Sequence, residues 1–567
     1  MRFAGLKRWG LKRWALAFGI LLAGVAGAAQ AADRFEVTFA PALHQGPLTG
    51  RLVVLVSPTQ PKGDHIRPGF YGPPMFGADL EALKPGQAGV LDDSAKAYPL
   101  DNLKALPAGD YWVQALVITY GEAHRADGRT VWAPLNLERT DLTVLPGNLY
   151  SAPVKVRLDP AQGFDVKLSL DHVETAHPLP DTEWIKRVRI KSKILSDWWG
   201  APMYLSANVL LPKGWAEHPN ARYPVALLQS FDPQPFYFST DPATMKQAES
   251  LKAGGLKPGY DVYQSWISDG FPRMLAISIE QPCPFFLEAY STDSANCGPF
   301  GEAITKELIP YLEAKYRGIG KPYARVVEGA STGGWEALNL QLKYPDEFGG
   351  AWVFNPDPID LHHDQLVDAY KDDNAFTMSV APGIESTQAN VTVERSMRRT
   401  VEGQSNLSMR ELSRWEDVLG SHGRSGGQFE GWNAVHSPVG PDGYPAPLFD
   451  IETGKIDHAV AEAWRANGSD LSDYARRNWA TLGPKLRGKL NIISGDMDNF
   501  YLNLAVYDFE DMLKATAGPD YPARFVYGRP KKGHGWHHKD WAGVAEEMAA
   551  QVKANAPAGE DTKQWNY

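Results

Sequence analysis

The sequence predicts an α/β fold preceded by a β-rich domain, and three features of the chain lead to this prediction. First, 567 residues are more than one compact domain usually holds. Second, residues 33–170 carry short β-type segments with little helical periodicity, which is typical of a β-sandwich. Third, strands alternate with helices from about residue 185, as in a sheet covered by helices. We therefore expect a β-sandwich-like domain over residues 32–170 and an α/β domain over residues 171–555.

In the first domain, β-branched and aromatic residues alternate with polar ones, and turn-rich pieces such as Pro107–Asp110 separate the runs. The predicted strands are Arg34–Ala40, Gly50–Val56, Tyr111–Ile118, Leu142–Leu145 and Val154–Leu158, with Phe164–Leu170 as a further candidate.

In the second domain, continuous apolar runs indicate buried strands, and apolar residues three or four positions apart indicate helices. The predicted strands are Val188–Ile194, Met203–Leu211, Tyr223–Leu228, Met274–Ile279, Ala324–Val327, Gly350–Phe354, Lys489–Ser494 and Ala523–Tyr527. The predicted helices are Phe300–Tyr316, Thr332–Tyr344, Leu502–Lys514 and Trp541–Ala554. Residues 360–485 break this alternation, and we interpret them as an irregular inserted cap; residues 556–567 are expected to be disordered.

The N-terminus has the pattern of a secretory signal peptide. Five basic residues precede an apolar run, Trp14–Ala29, which is followed by the small-residue cleavage pattern Ala29-Gln-Ala31. We predict that residues 1–31 are removed and that the protein is exported to the periplasm or the extracellular space; a membrane anchor is the alternative. No later stretch reaches the roughly 18 apolar residues of a membrane helix.

The charge balance bears on the partners. The formal net charge is −10 although the leader is basic, which argues against nucleic acid as a partner.

The two cysteines, Cys283 and Cys297, are expected to form a disulfide in an oxidising compartment, with two buried thiols as the alternative.

The pattern Gly-x-Ser-x-Gly occurs twice, and its surroundings distinguish the two copies. Ser331 follows a predicted strand and precedes a predicted helix, as a nucleophile elbow requires. Ser425 follows a polar stretch and precedes no periodic segment, so we interpret it as part of a cap loop. Ser331 is the predicted nucleophile of an α/β-hydrolase fold.

A serine hydroxyl needs a base to remove its proton, and in this fold a histidine follows the last strand. His534 is the predicted base, with His537 and His538 as alternatives. The three histidines could also supply zinc ligands, but the chain lacks a His-Glu-x-x-His motif, and we expect no metal or other cofactor.

A carboxylate should orient the histidine from the loop after the strand that ends at Ser494. Asp498 is the predicted acid; Asp496 is expected to accept hydrogen bonds from loop backbone, and Asp357 is a further candidate. For the oxyanion we expect two N–H donors, one from Thr332 and the other from around Ser230 or Phe231.

At these motifs the chain resembles the putative-esterase branch of the α/β-hydrolases, which includes enterochelin-esterase-like and feruloyl-esterase-like members. The matching segments are Tyr223–Val225, Gly329–Leu338, Tyr344–Phe348, Gly495–Asp498 and Gly533-His534. The resemblance implies Ser331, Asp498 and His534 as the catalytic triad. The chain has Gln229-Ser230 where the family usually has His-Gly. The family pattern therefore does not identify the second oxyanion donor in this chain.

Trp335 and Gln229 are the predicted substrate-binding residues, and four tryptophans of the cap could also form stacking walls, although packing is their commoner role. The first hypothesis is a carboxylic-ester hydrolase acting on acylated carbohydrates or aromatic esters. The alternatives are a serine peptidase or amidase with the same triad, and a catalytically inactive binding module. The sequence makes no prediction about the oligomeric state.

Overall fold

The computed structural model describes residues 33–138, 141–176, 178–229, 234–247, 254–380 and 390–567. The predicted signal peptide and the predicted oxyanion residues Ser230 and Phe231 lie outside the described residues. Among the described residues, no helix combines the length and the apolar composition that crossing a membrane requires.

The first part of the chain forms β-strands. They are β1 Arg34–Phe39, β2 Leu48–Ser57, β3 Met75–Leu83, β4 Gly89–Leu91, β5 Lys96–Tyr98, β6 Gly109–Thr119, β7 Gly121–His124, β8 Thr130–Ala133, β9 Leu149–Tyr150, β10 Val154–Leu158, β11 Asp165–Leu170 and β12 His172–Val173. A three-stranded sheet has the order β11-β1-β4, and a larger sheet has the order β12-β9-β6-β2-β3-β5, with β10 also paired to β6.

The larger sheet is buried on both faces. Leu52 and Val54 lie in a hydrophobic cluster with Phe35 of the small sheet, whereas Val53 and Leu55 lie in the main hydrophobic cluster of the protein. Burial on both faces explains the continuous apolar run in β2, which a half-exposed strand would not show. The prediction of a strand at Leu142–Leu145 is wrong: Leu142–Val144 is a short 3₁₀ helix, capped by the Asp141 side chain.

The remaining strands are β13 Ile185–Ser192, β14 Met203–Leu210, β15 Val225–Gln229, β16 Leu275–Glu280, β17 Asp293–Ser294, β18 Gly298–Pro299, β19 Arg325–Ala330, β20 Gly350–Phe354, β21 Thr377–Val380, β22 Val391–Glu394, β23 Ser396–Arg399, β24 Ser405–Ser408, β25 Leu490–Gly495 and β26 Arg524–Gly528. Eight of them form one sheet in the order β13-β14-β16-β15-β19-β20-β25-β26. The first two pairings are antiparallel and the others are parallel, as the predicted opening hairpin followed by strand–helix alternation requires.

The α-helices are α1 Lys193–Trp199, α2 Gly259–Trp266, α3 Phe300–Ala303, α4 Ile309–Tyr316, α5 Thr332–Lys343, α6 Met409–Leu419, α7 Gln428–His436, α8 His458–Asn467, α9 Leu471–Leu486, α10 Asn503–Ala517 and α11 Trp541–Asn555. A π-helical turn joins α3 to α4, so that they form one continuous helical segment where a single helix was predicted. The prediction of an α/β fold is confirmed.

The segment between β20 and β25 is more regular than the sequence predicted. It contains two hairpins, β21–β22 and β23–β24, and the helices α6 to α9. Helix α6 begins with a capping box, in which the Ser408 side chain accepts from the Glu411 N–H and Glu411 reaches back to the Ser408 backbone. The expectation of an irregular segment is wrong because short amphipathic helices with many polar residues were taken for loop.

The larger N-terminal sheet is bonded to this inserted segment through Arg51 of β2. The Arg51 side chain is 3% exposed, donates to the backbone oxygens of Asp417 and Val418 at 2.6 and 3.0 Å, and pairs with Asp79 at 3.2 Å. These oxygens lie at the C-terminal end of α6, where helix carbonyls lack partners and a cation is favourable.

Replacing Arg51 should therefore destabilise the protein. We expect Arg51→Ala to lower the free energy of unfolding by about 3 kcal/mol, because two backbone carbonyl groups lose a charged donor and the buried side chain leaves a cavity. The midpoint of urea unfolding measures the effect. Arg34→Ala is the matched control, because Arg34 pairs with Asp165 at the surface, and its midpoint should barely change. Equal midpoints for both variants would contradict the prediction.

The C-terminal residues are ordered on the body of the protein, contrary to the expectation of a disordered tail. Trp565 is 1% exposed, the ring of Tyr567 stacks on His218, and the Tyr567 hydroxyl lies 2.7 Å from that of Tyr223. The sequence did not predict this order because the tail is mostly polar, and its two aromatic residues, Trp565 and Tyr567, form no periodic pattern. Cys283 and Cys297 form a disulfide, as predicted, with their Cα atoms 5.7 Å apart.

Candidate active site

Ser331 lies at a sharp turn between β19 and α5. Its backbone has φ 60° and ψ −123°, a conformation that most residues avoid and that raises the side chain above the sheet. The flanking glycines permit the turn: a Cβ at Gly329 would lie 2.0 Å from the Gly333 carbonyl oxygen, and one at Gly333 would lie 1.8 Å from the Gln229 oxygen. The local structure is that of a nucleophile elbow.

His534 and Asp498 form a hydrogen-bonded pair close to this turn. His534 Nδ1 lies 2.8 Å from Asp498 Oδ2. Asp498 is fully buried, and its other oxygen accepts from the backbone N–H groups of Phe500 and Leu502 at 2.8 and 3.3 Å. These donors stabilise the ionised carboxylate and fix its orientation. The carboxylate can therefore hold the imidazole in one tautomer, with Nε2 free to accept a proton.

Two loops hold this pair by bonding to each other. The Asn499 side chain accepts from the His534 backbone N–H at 3.0 Å, and Asp496 accepts from the Lys532 N–H at 3.1 Å. Asp496 thus serves the loop backbone, the role that the sequence predicted for it. The loop after β25 consequently sets the position of the histidine after β26.

Ser331 Oγ points to a second carboxylate in this structure. It donates to Asp357 Oδ1 at 3.3 Å, and no hydrogen bond joins it to His534 among the described residues. Ser331 and His534 nevertheless line the same cavity, which has a volume of about 570 Å³. Rotation of the serine side chain about one bond changes which group its hydroxyl meets, and catalytic hydrogen bonds often form only with substrate bound.

The charges around His534 favour its protonated form. Burial lowers the pKa of His534, but the charge and hydrogen bond of Asp498, together with the charge of Asp357, outweigh burial and raise the pKa above its ordinary value. An imidazolium is the species that forms when His534 takes a proton from a nucleophile. The site is therefore suited to general-base chemistry.

Asp357 belongs to a hydrogen-bond network that the sequence reasoning only partly found. Besides Ser331, it accepts from Tyr290 and Thr332 hydroxyls, both at 2.9 Å, and from the Gln428 amide at 3.3 Å. Asn355-Pro-Asp-Pro358 had marked Asp357 as a candidate acid, but Asp498 occupies the Nδ1 side of the histidine. Tyr290 and Gln428 come from distant segments and carried no motif that could have identified them.

The other predicted residues take different positions. Thr332 opens α5, where first-turn N–H groups have no acceptor within the helix, as an oxyanion donor requires. Gln229 lines the 570 Å³ cavity. The prediction that Trp335 binds substrate is contradicted: its ring is fully buried against Tyr290 and Trp432 and, in the described chain, lines neither cavity that Ser331 lines. Trp335 is a packing residue.

The remaining histidines and the second motif have structural roles. His537 Nδ1 meets the Gly535 carbonyl, and burial lowers the pKa of His537 to about 4. His538 Nε2 pairs with Glu547. Ser425 lies between α6 and α7 and accepts from the Gly427 N–H, so the expectation that no helix follows it is wrong, whereas its place in a loop agrees with the prediction.

An elbow serine above a mixed eight-stranded sheet, beside a hydrogen-bonded Asp–His pair, defines a serine hydrolase of the α/β-hydrolase type. Residues 203–377, which include Ser331, match the family model described as "Putative esterase". The predicted resemblance to this esterase family is confirmed over these residues.

Several solved structures are similar to parts of the chain. An S-formylglutathione hydrolase from Agrobacterium tumefaciens is 12% identical, with 66% of this chain and 97% of that chain covered and a TM-score of 0.32. The fluorophosphonate-binding serine hydrolase F of Staphylococcus aureus is 13% identical, with 65% and 98% covered and a TM-score of 0.32. A ferulic acid esterase is 16% identical, with 65% and 98% covered and a TM-score of 0.36. No curated protein matches the chain in sequence.

Proposed function

We propose that the protein hydrolyses carboxylic esters through an acyl-enzyme on Ser331, with His534 as general base and Asp498 as its orienting acid. The observation that carries this proposal is the 2.8 Å contact between His534 and Asp498 at the edge of the cavity that the elbow serine also lines. A nucleophile, a base and an orienting carboxylate are the three groups that acyl transfer to water requires.

In the first step His534 Nε2 takes the Ser331 proton while Oγ attacks the ester carbonyl. The N–H of Thr332 donates to the oxyanion that forms, and a second donor from the Ser230–Phe231 backbone completes this proposed oxyanion hole. His534 then gives its proton to the departing alcohol, which leaves the acyl group on Ser331. A water molecule, deprotonated by His534, releases the acid in the second step.

The 570 Å³ cavity supports a polar or aromatic ester as the substrate. Aromatic rings of Phe236, Tyr237, Trp536 and Trp541 line it. Gln229 Nε2, Ser278 Oγ and Glu328 Oε1, which belong to lining residues, have no hydrogen-bond partner among the described residues. Unpaired polar groups beside aromatic walls suit a hydroxyl-bearing group such as a sugar or a phenol.

We also propose that residues 32–170 form a β-sandwich-like domain, that the segment between β20 and β25 caps the site, and that the protein is exported. The basic and apolar leader and the paired cysteines support export. Cavities lined by both Ser331 and residues of the inserted segment support the cap.

Covalent labelling tests the proposed function. We expect a fluorophosphonate to form one adduct on the protein, located on Ser331 by mass spectrometry of peptides, and p-nitrophenyl acetate to be turned over. Ser425→Ala is the matched control, since it removes the other Gly-x-Ser-x-Gly serine and should leave labelling intact. Faster turnover of peptide anilides than of esters would favour the peptidase alternative. An unlabelled Ser331 with no turnover would favour a binding module.

A further inference from the structure

A second cavity, small and acidic, adjoins Ser331 on the side of Asp357. It has a volume of about 40 Å³, and its lining includes Ser331, Asp357, Asp364 and Gln365. This volume exceeds the share of one water molecule, roughly 30 Å³ in the liquid, so the cavity can hold a small polar group. The small cavity shares Asp364, Phe429 and Trp432 with a cavity of about 990 Å³ in the inserted segment.

The described lining of the small cavity has hydrogen-bond acceptors but no cationic side chain. Asp364 is 7% exposed, and no hydrogen-bond donor reaches its carboxyl group among the described residues. Gln365 is equally buried, and its Oε1 also has no partner there. The described lining contains no lysine, arginine or histidine. A buried carboxyl group and a buried amide oxygen without donors are unfavourable unless a ligand supplies the donors.

Asp357 adds a third acceptor next to the reacting atom. Its Oδ2 accepts from Tyr290, Thr332 and Gln428, whereas the one donor to its Oδ1 within the described part of the chain is Ser331 Oγ, at 3.3 Å. When Ser331 turns to His534 to react, Oδ1 becomes free. An ammonium group has three donors and one positive charge, which matches Asp357 Oδ1, the Asp364 carboxyl group and Gln365 Oε1.

The larger cavity has the same sign of charge. Seven of its lining residues are acidic, and Lys455 is the single lysine or arginine in the described lining. Burial and the charge of Asp357 raise the pKa of Asp364 to about 7. A bound cation would oppose this shift by favouring the ionised carboxylate. The acidic groups that line the larger cavity, which shares Asp364 with the small cavity, would favour cationic over anionic substrates.

We propose that the small cavity binds the ammonium group of an α-aminoacyl ester through Asp357, Asp364 and Gln365, while Ser331 attacks the neighbouring carbonyl. The α-amino nitrogen is two bonds from the carbonyl carbon, so it stays close to Ser331 Oγ in the acyl-enzyme, on the side of Asp357. This inference rests on the proposed esterase function and adds the chemical class of the acyl group.

The test compares three p-nitrophenyl esters: those of alanine and 2-methylpropanoate, which match in size, and that of N-acetylalanine, which is larger. After correction for spontaneous hydrolysis, we expect kcat/KM for the alanine ester to exceed that for 2-methylpropanoate by about 100-fold. The N-acetylalanine ester, which withdraws electrons without a charge, should not share the preference. Asp364→Asn should reduce the preference at least tenfold, because one acceptor loses its charge while the cavity keeps its size.

Asp373→Asn is the matched control, since Asp373 is fully exposed and its replacement changes the net charge equally. It should keep the preference. Fluorophosphonate labelling of Ser331 in Asp364→Asn should persist, which shows that the variant is folded. Equal kcat/KM for the alanine and 2-methylpropanoate esters would overturn the inference and leave the esterase function standing. Competitive inhibition by Ca²⁺ without an amine preference would also overturn it. Loss of labelling and of all ester turnover in the unmodified protein would overturn both.

Discussion

Ser331→Ala is expected to lower kcat/KM for p-nitrophenyl esters by at least roughly 10⁴-fold, because the proposed acyl-enzyme forms on the Ser331 hydroxyl. Ser331 is the elbow residue itself, with φ 60° at the end of β19. The oxyanion donors and the substrate cavity remain in the variant, so a small rate above that of the uncatalysed reaction should persist.

Stopped-time assays at saturating and limiting ester concentrations measure this loss. The unfolding midpoint of Ser331→Ala should match that of the unmodified protein, since alanine removes only one oxygen that contacts Asp357 at 3.3 Å. A second variant, Ser425→Ala, should retain full activity. Activity of Ser331→Ala within tenfold of the unmodified protein would show that the elbow serine is not the nucleophile.

The second large effect is expected for Asp498→Asn, which should lower kcat by roughly 10⁴-fold. The amide is nearly the same size as the carboxylate, but it can donate to His534 Nδ1 and so stabilise the wrong tautomer. It also removes the charge that raises the pKa of His534. Asp496→Asn is the matched control, because Asp496 bonds the Lys532 backbone and not the histidine.

The pH dependence provides a separate readout. His534 must be neutral to accept a proton, and its pKa is raised in the folded protein, so kcat/KM should rise with pH through a value above the ordinary 6.5 of histidine. In Asp498→Asn the midpoint of this rise should move to lower pH. An unchanged midpoint would mean that Asp498 does not act on the titrating group.

The strands of the main sheet were predictable because their patterns are local. Gly350–Phe354 was predicted with the observed bounds, and the elbow at Ser331 was recognisable because sterically required glycines leave a mark in the sequence. The inserted segment was not predictable in this way. Its helices, such as α6, are short and polar, and they are stabilised by packing and capping contacts that a periodicity count does not register.

In the candidate active site, too, some residues were predictable from local motifs and others were not. The motif order indicated Ser331, Asp498 and His534, which the structure brings to one edge of the sheet. The acidic cavity could not be predicted from the sequence, because Asp364 and Gln365 belong to no motif. They are candidate ligand-binding residues only because no hydrogen-bond donor reaches their side-chain acceptors in the described fold. For Trp335 the sequence suggested a role in the site that the structure does not support. Trp335 is close to the nucleophile in sequence, but its ring does not line the cavity.

The hydrogen bonds between Arg51 and α6 also limit the order in which the parts of the chain can fold. The guanidinium and the Val418 carbonyl are separated by 367 positions, so the arginine leaves the ribosome long before its acceptors. The early sheets have a hydrophobic cluster of their own and can collapse around it. We expect the segment that lines the acidic cavity to dock afterwards, on a sheet that has already formed, and catalysis to begin only after that docking.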